Sequence, residues 1–391
     1  MSRAAAVVLL MSFFIFASFN GCNFKAENKE ENVTDKISAT ESLESEEMRG
    51  VWVSCYELEK LDATNEESFR EDVKKMFMNI RGYGLNTAFV HVRAFSDAFY
   101  PSEIFPLTEY LKIGKELLFD PLRIMIEYAH SYSLEFHAWV NPFRVSYNTD
   151  VNSLSDDSPA KKILTDDDKT NDDAVSVTKE GIFWNPASQE AHRIILDGIR
   201  EIAKNYDVDG IHIDDYFYPS GSDEIDGEEY EKYKASGGLL KKNEWRRHNV
   251  NAFVKGMYSL VKSINKDICV SISPSGNIEK NMNTYCADVK KWGSSEGYDD
   301  CIIPQVYFGF EHEKLPFAET VNKWSKTITN EKIKLCFGLA TYKCGNTDEF
   351  AGNGKNEWVQ NSDVISRQLE YIKGIENYSG YALFSYSSLS F

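Results

Sequence analysis

Val208-Asp209-Gly210-Ile211-His212-Ile213-Asp214-Asp215-Tyr216-Phe217-Tyr218 reads as a buried strand, Val208 to Ile213, whose C-terminal end runs into two carboxylates and three rings. Helical patterns stand on both sides of it: Pro186 to Tyr206 before, and Glu244 to Asn265 after a long loop. An apolar strand set between amphipathic helices is the unit of a parallel sheet.

The same unit recurs outward in both directions. Gly50–Ser54, Thr87–Arg93 and Glu135–Val140 precede it as strands, with helices at Glu66–Ile80 and Pro121–His130. Proline at the first turn suits the second of these helices. Ile268–Ser273, Cys301–Val306, Lys334–Ala340 and Gly380–Ser385 follow as strands. Their helices are expected at Met282–Trp292, Pro316–Thr327 and Val364–Gly374, and Ser146–Gly181 is expected to be a long polar loop. Eight such units most simply close into a (β/α)8 TIM barrel over residues 48–391. A final covering helix is expected to be missing or to lie beyond the eighth strand. An open doubly wound sheet is the other architecture, but no glycine-rich dinucleotide fingerprint follows an early strand.

In such a barrel the chemistry sits at the C-terminal strand ends. These ends carry His91, Arg93, Asp97 and Glu103 after the second strand, Asn141 after the third, and Asp214, Asp215 and Tyr216 after the fourth. Gln305 and Tyr307 follow the sixth. Hydroxylated ligands bind to groups of this kind, and aromatic neighbours offer faces for sugar rings. A carboxyl group beside a like charge in a partly dry pocket holds its proton longer and can give it to a glycosidic oxygen. Glycosidases commonly use two carboxylates, so Asp214 and Asp215 are the candidate catalytic pair. His91, Arg93, Asp97, Glu103, Asn141, His212, Tyr216, Gln305 and Tyr307 are candidate substrate-binding residues.

Strand alternation places Asp214 with His212 and Tyr216 on one face, and Asp215 on the other or at the rim. Each assignment has a structural counterpart. Arg93 suits an ion pair with Asp97 or Glu103 equally well, and Asn141 and Gln305 could hold loop backbones. His137, Trp52 and Asp209 read as structural. The Asp-rich stretch 155–173 lacks the ligand order of a calcium loop and reads as solvated.

The formal net charge of −18 argues against nucleic acid and anionic lipid as partners, and says little about a neutral glycan. No metal or other cofactor is expected. At the N-terminus, Arg3 and the apolar run Ala4–Phe19 form a signal peptide over residues 1–21. Gly21-Cys22 then suits cleavage and lipidation at Cys22, and the Glu-, Lys- and Ser-rich residues 22–47 suit a flexible tether. Plain secretion is the alternative to the anchor. The six cysteines after Cys22 form no C-x-x-C pair and are expected as free thiols.

Several of these stretches together resemble the bacterial glycosyl-hydrolase-like family 10 proteins. They are Met48-Arg49-Gly50-Val51-Trp52-Val53, Asn86-Thr87-Ala88-Phe89-Val90-His91-Val92-Arg93, Tyr100-Pro101-Ser102-Glu103, Trp139-Val140-Asn141-Pro142, Asp209 to Tyr216, Pro304-Gln305-Val306-Tyr307 and Phe384-Ser385-Tyr386-Ser387. The resemblance implies a barrel, export as a lipoprotein, and hydrolysis of peptidoglycan glycan strands, in some members strands stripped of stem peptides. The Asp-Gly-Ile-His-Ile-Asp run is also similar to the fourth-strand signature of chitinase-type enzymes. Their acid, a Glu two residues after the last Asp, is Tyr216 here, so the acid falls to Asp214 or Asp215. Asp97 and Glu103 are candidates for the partner carboxylate. A substrate-assisted route, with Tyr307 or Asn141 orienting an acetamido group, needs one protein acid. The missing Glu leaves a catalytically inactive, glycan-binding envelope scaffold as the alternative. A metal-dependent polysaccharide deacetylase ranks third, since no His-x-x-x-His pair is present.

Overall fold

The computed structural model describes residues 47–113, 117–219 and 224–389. The expected signal peptide, Cys22 and all but the last residue of the tether lie outside them. Eight parallel strands close into a barrel: β1 (Met48–Val53), β2 (Thr87–Arg93), β3 (Glu135–Val140), β4 (Gly210–Ile213), β5 (Cys269–Ile272), β6 (Cys301–Ile302), β7 (Lys334–Leu339) and β8 (Tyr378–Leu383). They follow one another in chain order, and β1 closes the ring by pairing Met48 with Gly380 on one side and Gly50 with Thr87 on the other.

Alternation along the strands sorts their side chains into two layers. Trp52, Phe89, Trp139, Ile303, Cys336 and Ala382 pack inside the barrel. Val51, Val53, Ala88, Val90, Ala138, Ile211 and Ile213 point outward to the helices. These are α1 (Glu66–Gly82), α2 (Pro121–Ser131), α3 (Gln189–Asn205), α4 (Lys242–Ile264), α5 (Phe317–Thr327) and α6 (Val364–Lys373). Their starts are set locally. The Asn65 carboxamide accepts the Ser68 amide at 2.9 Å, and Asp120 accepts the Arg123 amide at 3.1 Å just ahead of Pro121. On α3 the buried residues Ala191, Ile194, Ile195, Gly198, Ile199 and Ile202 recur every three or four positions, so one stripe faces the strands.

Three segments differ from expectation. Regular pairing in β6 stops at Ile302, because Pro304 has no amide hydrogen for the ladder. Its carbonyl still accepts the Gly338 amide, and Gln305 bridges to Ser275 and Gly338 beyond it. The helix expected at Met282–Trp292 is two short pieces, Ile278–Lys280 and Val289–Trp292, joined through a wide turn at Asn281–Tyr285 and a left-handed Cys286. The buried Asn281 drives that break, since its carboxamide donates to the Ser275 carbonyl instead of facing solvent. The long polar excursion after β3 holds a small antiparallel sheet, in the order Arg144–Ser146, Gly181–Trp184, Val175–Thr178. Its buried Trp184 indole donates to the Ser96 hydroxyl at 2.6 Å, which pins the excursion against the loop after β2.

Cys55, Cys286, Cys301 and Cys336 are buried free thiols, as expected, and Cys269 is a half-buried one. Asp209 and His137 are structural, also as expected. Asp209 accepts the Phe136 amide and faces His130 at 2.8 Å, and His137 is fully buried in the barrel.

Arg93 leaves the barrel mouth altogether. The β2–β3 register shifts between His91 and Arg93, and this bulge turns the Arg93 side chain outward. It lies buried against α3, over the Phe105 ring at 4.5 Å, and donates to the Ile195 carbonyl at 3.3 Å. Gly198 makes the room, since a methyl group there would collide with the Arg93 guanidinium and the Phe105 ring. Gly198→Ala should therefore lower stability by roughly 1–3 kcal/mol despite the better helix propensity of alanine, read as a drop in unfolding midpoint. An unchanged or raised midpoint would show that Arg93 is not held this way.

Candidate active site

The floor of the mouth is a chain of buried polar contacts. The Trp52 indole N–H, which can only donate, gives its hydrogen to His212 Nε2 at 3.0 Å. His212 is therefore a neutral ring that carries its proton on Nδ1, which faces the Ser271 hydroxyl at 2.8 Å. Ser273 Oγ lies 3.0 Å from Nε2. Burial holds the His212 ring well below its ordinary pKa. With no exposed surface, His212 supports the mouth from beneath, and the expectation that it contacts substrate is corrected.

Above this floor His91 stacks face to face on Trp139, with ring centroids 3.8 Å apart and planes 3° from parallel. Burial, then the positive Arg144, keeps His91 neutral, and neither ring nitrogen has a hydrogen-bond partner among the described residues. Trp139 in turn donates its indole hydrogen to Asp214 Oδ2 at 3.0 Å. The other carboxylate oxygen, Oδ1, is buried without a partner among the described residues. Burial, followed by the neighbouring Asp215, pushes the Asp214 carboxyl up from 3.8 to about 7, with Arg144 and the Trp139 hydrogen bond pulling against them. Such a group still holds its proton near neutral pH and can deliver it to an oxygen placed at Oδ1.

Asp215 is also raised by burial and is steadied by Gln305. The Gln305 carboxamide nitrogen spans the Asp215 carboxylate at 3.2 Å and the Ser273 carbonyl at 2.9 Å, so β4, β5 and β6 converge on one carboxylate. Asp214 and Asp215 both lie beyond Ile213, where the strand ends, so alternation does not separate them and both belong to the mouth. Tyr307 flanks the pair, its ring 5.8 Å from Phe384 and edge-on to Tyr342. Tyr216 is 44% exposed and lies with its ring over Arg144.

Other expected site residues go elsewhere. Asp97 turns back to its own loop, where its carboxylate accepts the Phe95 amide at 3.0 Å and bonds Thr108. Glu103 is exposed, and its amide is tied to Glu201 on α3 at 2.7 Å. Neither is among the groups that act most strongly on Asp214 or Asp215. Asn141 is fully buried, and its carbonyl oxygen accepts the Arg144 amide at 3.2 Å, so it holds the loop that carries Arg144.

Two residues of the mouth were not among the candidate site residues. Arg144 lies buried among the rings of Phe95, Tyr147 and Tyr216, at 4.5, 4.6 and 4.2 Å. Its signal was the Asn-Pro-Phe-Arg run after β3, a cation among aromatic residues at a strand end. Glu57, which follows β1, accepts from the Ser54 amide and the Ser385 hydroxyl, both at 2.6 Å, and so clamps the β1–β8 seam. Nothing in its local sequence distinguished it. Among the described residues no group of three or more His, Cys, Asp or Glu side chains is placed to hold a metal ion.

A carboxyl group poised to donate, a second carboxylate beside it and a ring of tyrosines suit attack on a glycosidic bond. The family model described as Glycosyl hydrolase-like 10 matches residues 47–359. The chain belongs to that family. It is an enzyme of the glycoside hydrolase class. It is 32% identical to the glycosyl hydrolase YngK of Bacillus subtilis over 85% of this chain and 68% of that protein. With the glycosyl hydrolase DigH of Escherichia coli K12 it shares 28% identity over 93% of this chain and 89% of the other. Among solved structures, α-L-fucosidase isoenzyme 2 from Paenibacillus thiaminolyticus has a TM-score of 0.54 at 12% identity, matching 86% of this chain and 46% of that one. The catalytic domain of β-amylase from Paenibacillus polymyxa gives 0.54 at 9% identity, over 88% and 93%. At such identities these two show the barrel alone.

Two outcomes follow from the electrostatics. Between pH 4 and 7 the unfolded Asp214 is ionised while the folded one keeps its proton, so stability falls as pH rises through that window. The shift from 3.8 to about 7 corresponds to roughly 4 kcal/mol. Asp214→Asn should therefore melt several degrees above the parent at pH 8 and close to it at pH 4. A gap that does not depend on pH would refute the assignment. Removal of the Arg144 charge, which lowers the Asp214 pKa, should move the alkaline limb of kcat to higher pH in Arg144→Met, with Arg144→Lys nearer the parent. A limb that stays in place in both variants would detach Arg144 from the acid.

Proposed function

We propose that the protein is an exported, membrane-anchored hydrolase of peptidoglycan glycan strands, acting on strands that lack stem peptides, with Asp214 as the general acid. The observation that carries the reading is Asp214 itself: a dry carboxyl group, held by Trp139, with its other oxygen buried and unpartnered among the described residues and a pKa of about 7. The export and the anchor rest on Arg3, the apolar run Ala4–Phe19 and Gly21-Cys22. The peptide-free strand is the finest part of the reading and rests on the family resemblance.

The adjacency of the two carboxylates favours a sugar with a 2-acetamido group. A pair on one strand end stands to one side of the bond rather than flanking it. In the reaction this suits, Asp214 gives its proton to the glycosidic oxygen as the C1–O bond breaks. The acetamido oxygen of the substrate closes on C1, and Asp215 accepts the acetamido N–H. Water then adds to C1, the ring opens, and a proton returns to Asp214. Peptidoglycan glycan consists of such sugars.

The test is incubation of the protein with intact and amidase-stripped peptidoglycan, with mass analysis of the soluble products. Glycan fragments are expected, most from the stripped material, with a loss of at least 100-fold in Asp214→Asn and in Asp215→Asn. Full activity in both variants would sink the role assignment. Wall material that pellets the protein but releases nothing would favour a binding scaffold.

A further inference from the structure

A row of rings leads away from the aspartate pair around half of the mouth. It begins at Tyr216 after β4, whose face lies 4.2 Å from the Arg144 guanidinium. Arg144, after β3, is shared with Tyr147 at 4.6 Å and Phe95 at 4.5 Å. Phe95 and Tyr110, both from the loop after β2, stack with centroids 5.6 Å apart and planes 15° from parallel. Tyr110 then meets Tyr56, after β1, edge to face at 5.6 Å. Tyr56, Tyr147 and Tyr216 are 44%, 56% and 44% exposed, although each large ring would be better buried.

Four separate loops thus supply one continuous strip. The strip is amphipathic in a particular way: its four tyrosines are flat faces with a hydroxyl at the edge, Phe95 adds a bare ring, and its single charge, Arg144, is enclosed among rings. Pyranose rings present C–H faces with hydroxyls at the edge, and match such a surface. Continuity with the reaction site identifies the occupant. Tyr216 follows directly on Asp215, so a chain lying on it continues what reaches Asp214, and beyond Arg144 the steps Tyr147–Phe95, Phe95–Tyr110 and Tyr110–Tyr56 are 5.4, 5.6 and 5.6 Å.

We infer that Tyr216, Tyr147, Tyr110 and Tyr56 form outer subsites that hold the glycan chain beyond the sugars at the cleaved bond, which makes the enzyme a cutter of long strands rather than of terminal sugars. This rests on the glycoside hydrolase reading of Asp214.

The experiment compares peptide-free glycan oligomers of two and of eight sugars as substrates for the parent, Tyr56→Ala/Tyr110→Ala and Tyr56→Phe/Tyr110→Phe. The alanine pair should raise KM for the eight-sugar oligomer about tenfold or more, and leave the two-sugar value within about twofold. The phenylalanine pair, which keeps the ring faces, should restore most of the loss. Tyr147→Ala repeats the test at a separate, more exposed ring. An equal loss on both lengths, or none on either, overturns the track. Binding of the same oligomers to Asp214→Asn protein reads the track without turnover. A parent that cleaves nothing while the alanine pair still weakens binding of the long oligomer would remove the hydrolase reading and leave the track standing.

Discussion

Trp52 has one hydrogen to donate, and it gives it to Nε2 of His212. That bond fixes the tautomer of a fully buried histidine, commits Nδ1 to Ser271, and joins β1, β4 and β5 through the middle of the barrel. What stands above depends on this floor being neutral and dry. His91 is uncharged first because it is buried in a site stripped of water, and then because the positive Arg144 lies nearby. Trp139 can lie flat on His91 and point its N–H at Asp214 because nothing beneath it needs solvent. The acid inherits its environment from two layers of rings. A charged or hydrated floor would raise the local polarity and let Asp214 ionise in the ordinary carboxylate range.

The site is therefore a balance of opposed effects rather than a collection of favourable contacts. Burial and Asp215 raise the Asp214 pKa, while Arg144 and Trp139 lower it, and the result lies close to neutrality. Arg144 can remain in such a dry place because three aromatic faces surround it. The same contacts hold Tyr216 at the rim. One residue thus couples the acid to the surface on which a sugar would rest. The folded chain carries the cost of a carboxyl group that is only partly ionised near neutrality, the kind of exchange of stability for function that the proposed acid role would require.

Much of this was legible in the sequence, for identifiable reasons. The barrel followed from eight apolar runs with helices between them, since a two-residue period and a 3.6-residue period are hard to confuse over such lengths. Asp214, Asp215, Gln305 and Tyr307 stand at the mouth, where their places next to strand ends put them. Arg93 was misplaced because a bulge is invisible to periodicity: one extra residue after His91 turned an inward side chain outward. His212 was assigned to substrate because alternation tells which way a side chain points, but not how deep it lies. The small sheet after β3 was missed because its strands are three or four residues long and set among aspartates. Arg144 and Glu57 were missed because their partners, Tyr216 and Ser385, are distant in the chain.

The overall acidity now has a place beside the site. A formal charge of −18 on a protein whose reaction site holds two carboxylates and one enclosed cation offers no attraction to a polyanion. A glycan backbone is recognised instead by hydroxyl hydrogen bonds and ring faces, which are indifferent to net charge. The polar and aromatic residues at the mouth are of that kind, and the strongly charged residues are spent elsewhere, on helix surfaces and in the excursion after β3. The division follows from where each group can be tolerated. Exposed carboxylates keep their hydration at little cost, whereas each one taken into the barrel mouth must be needed there.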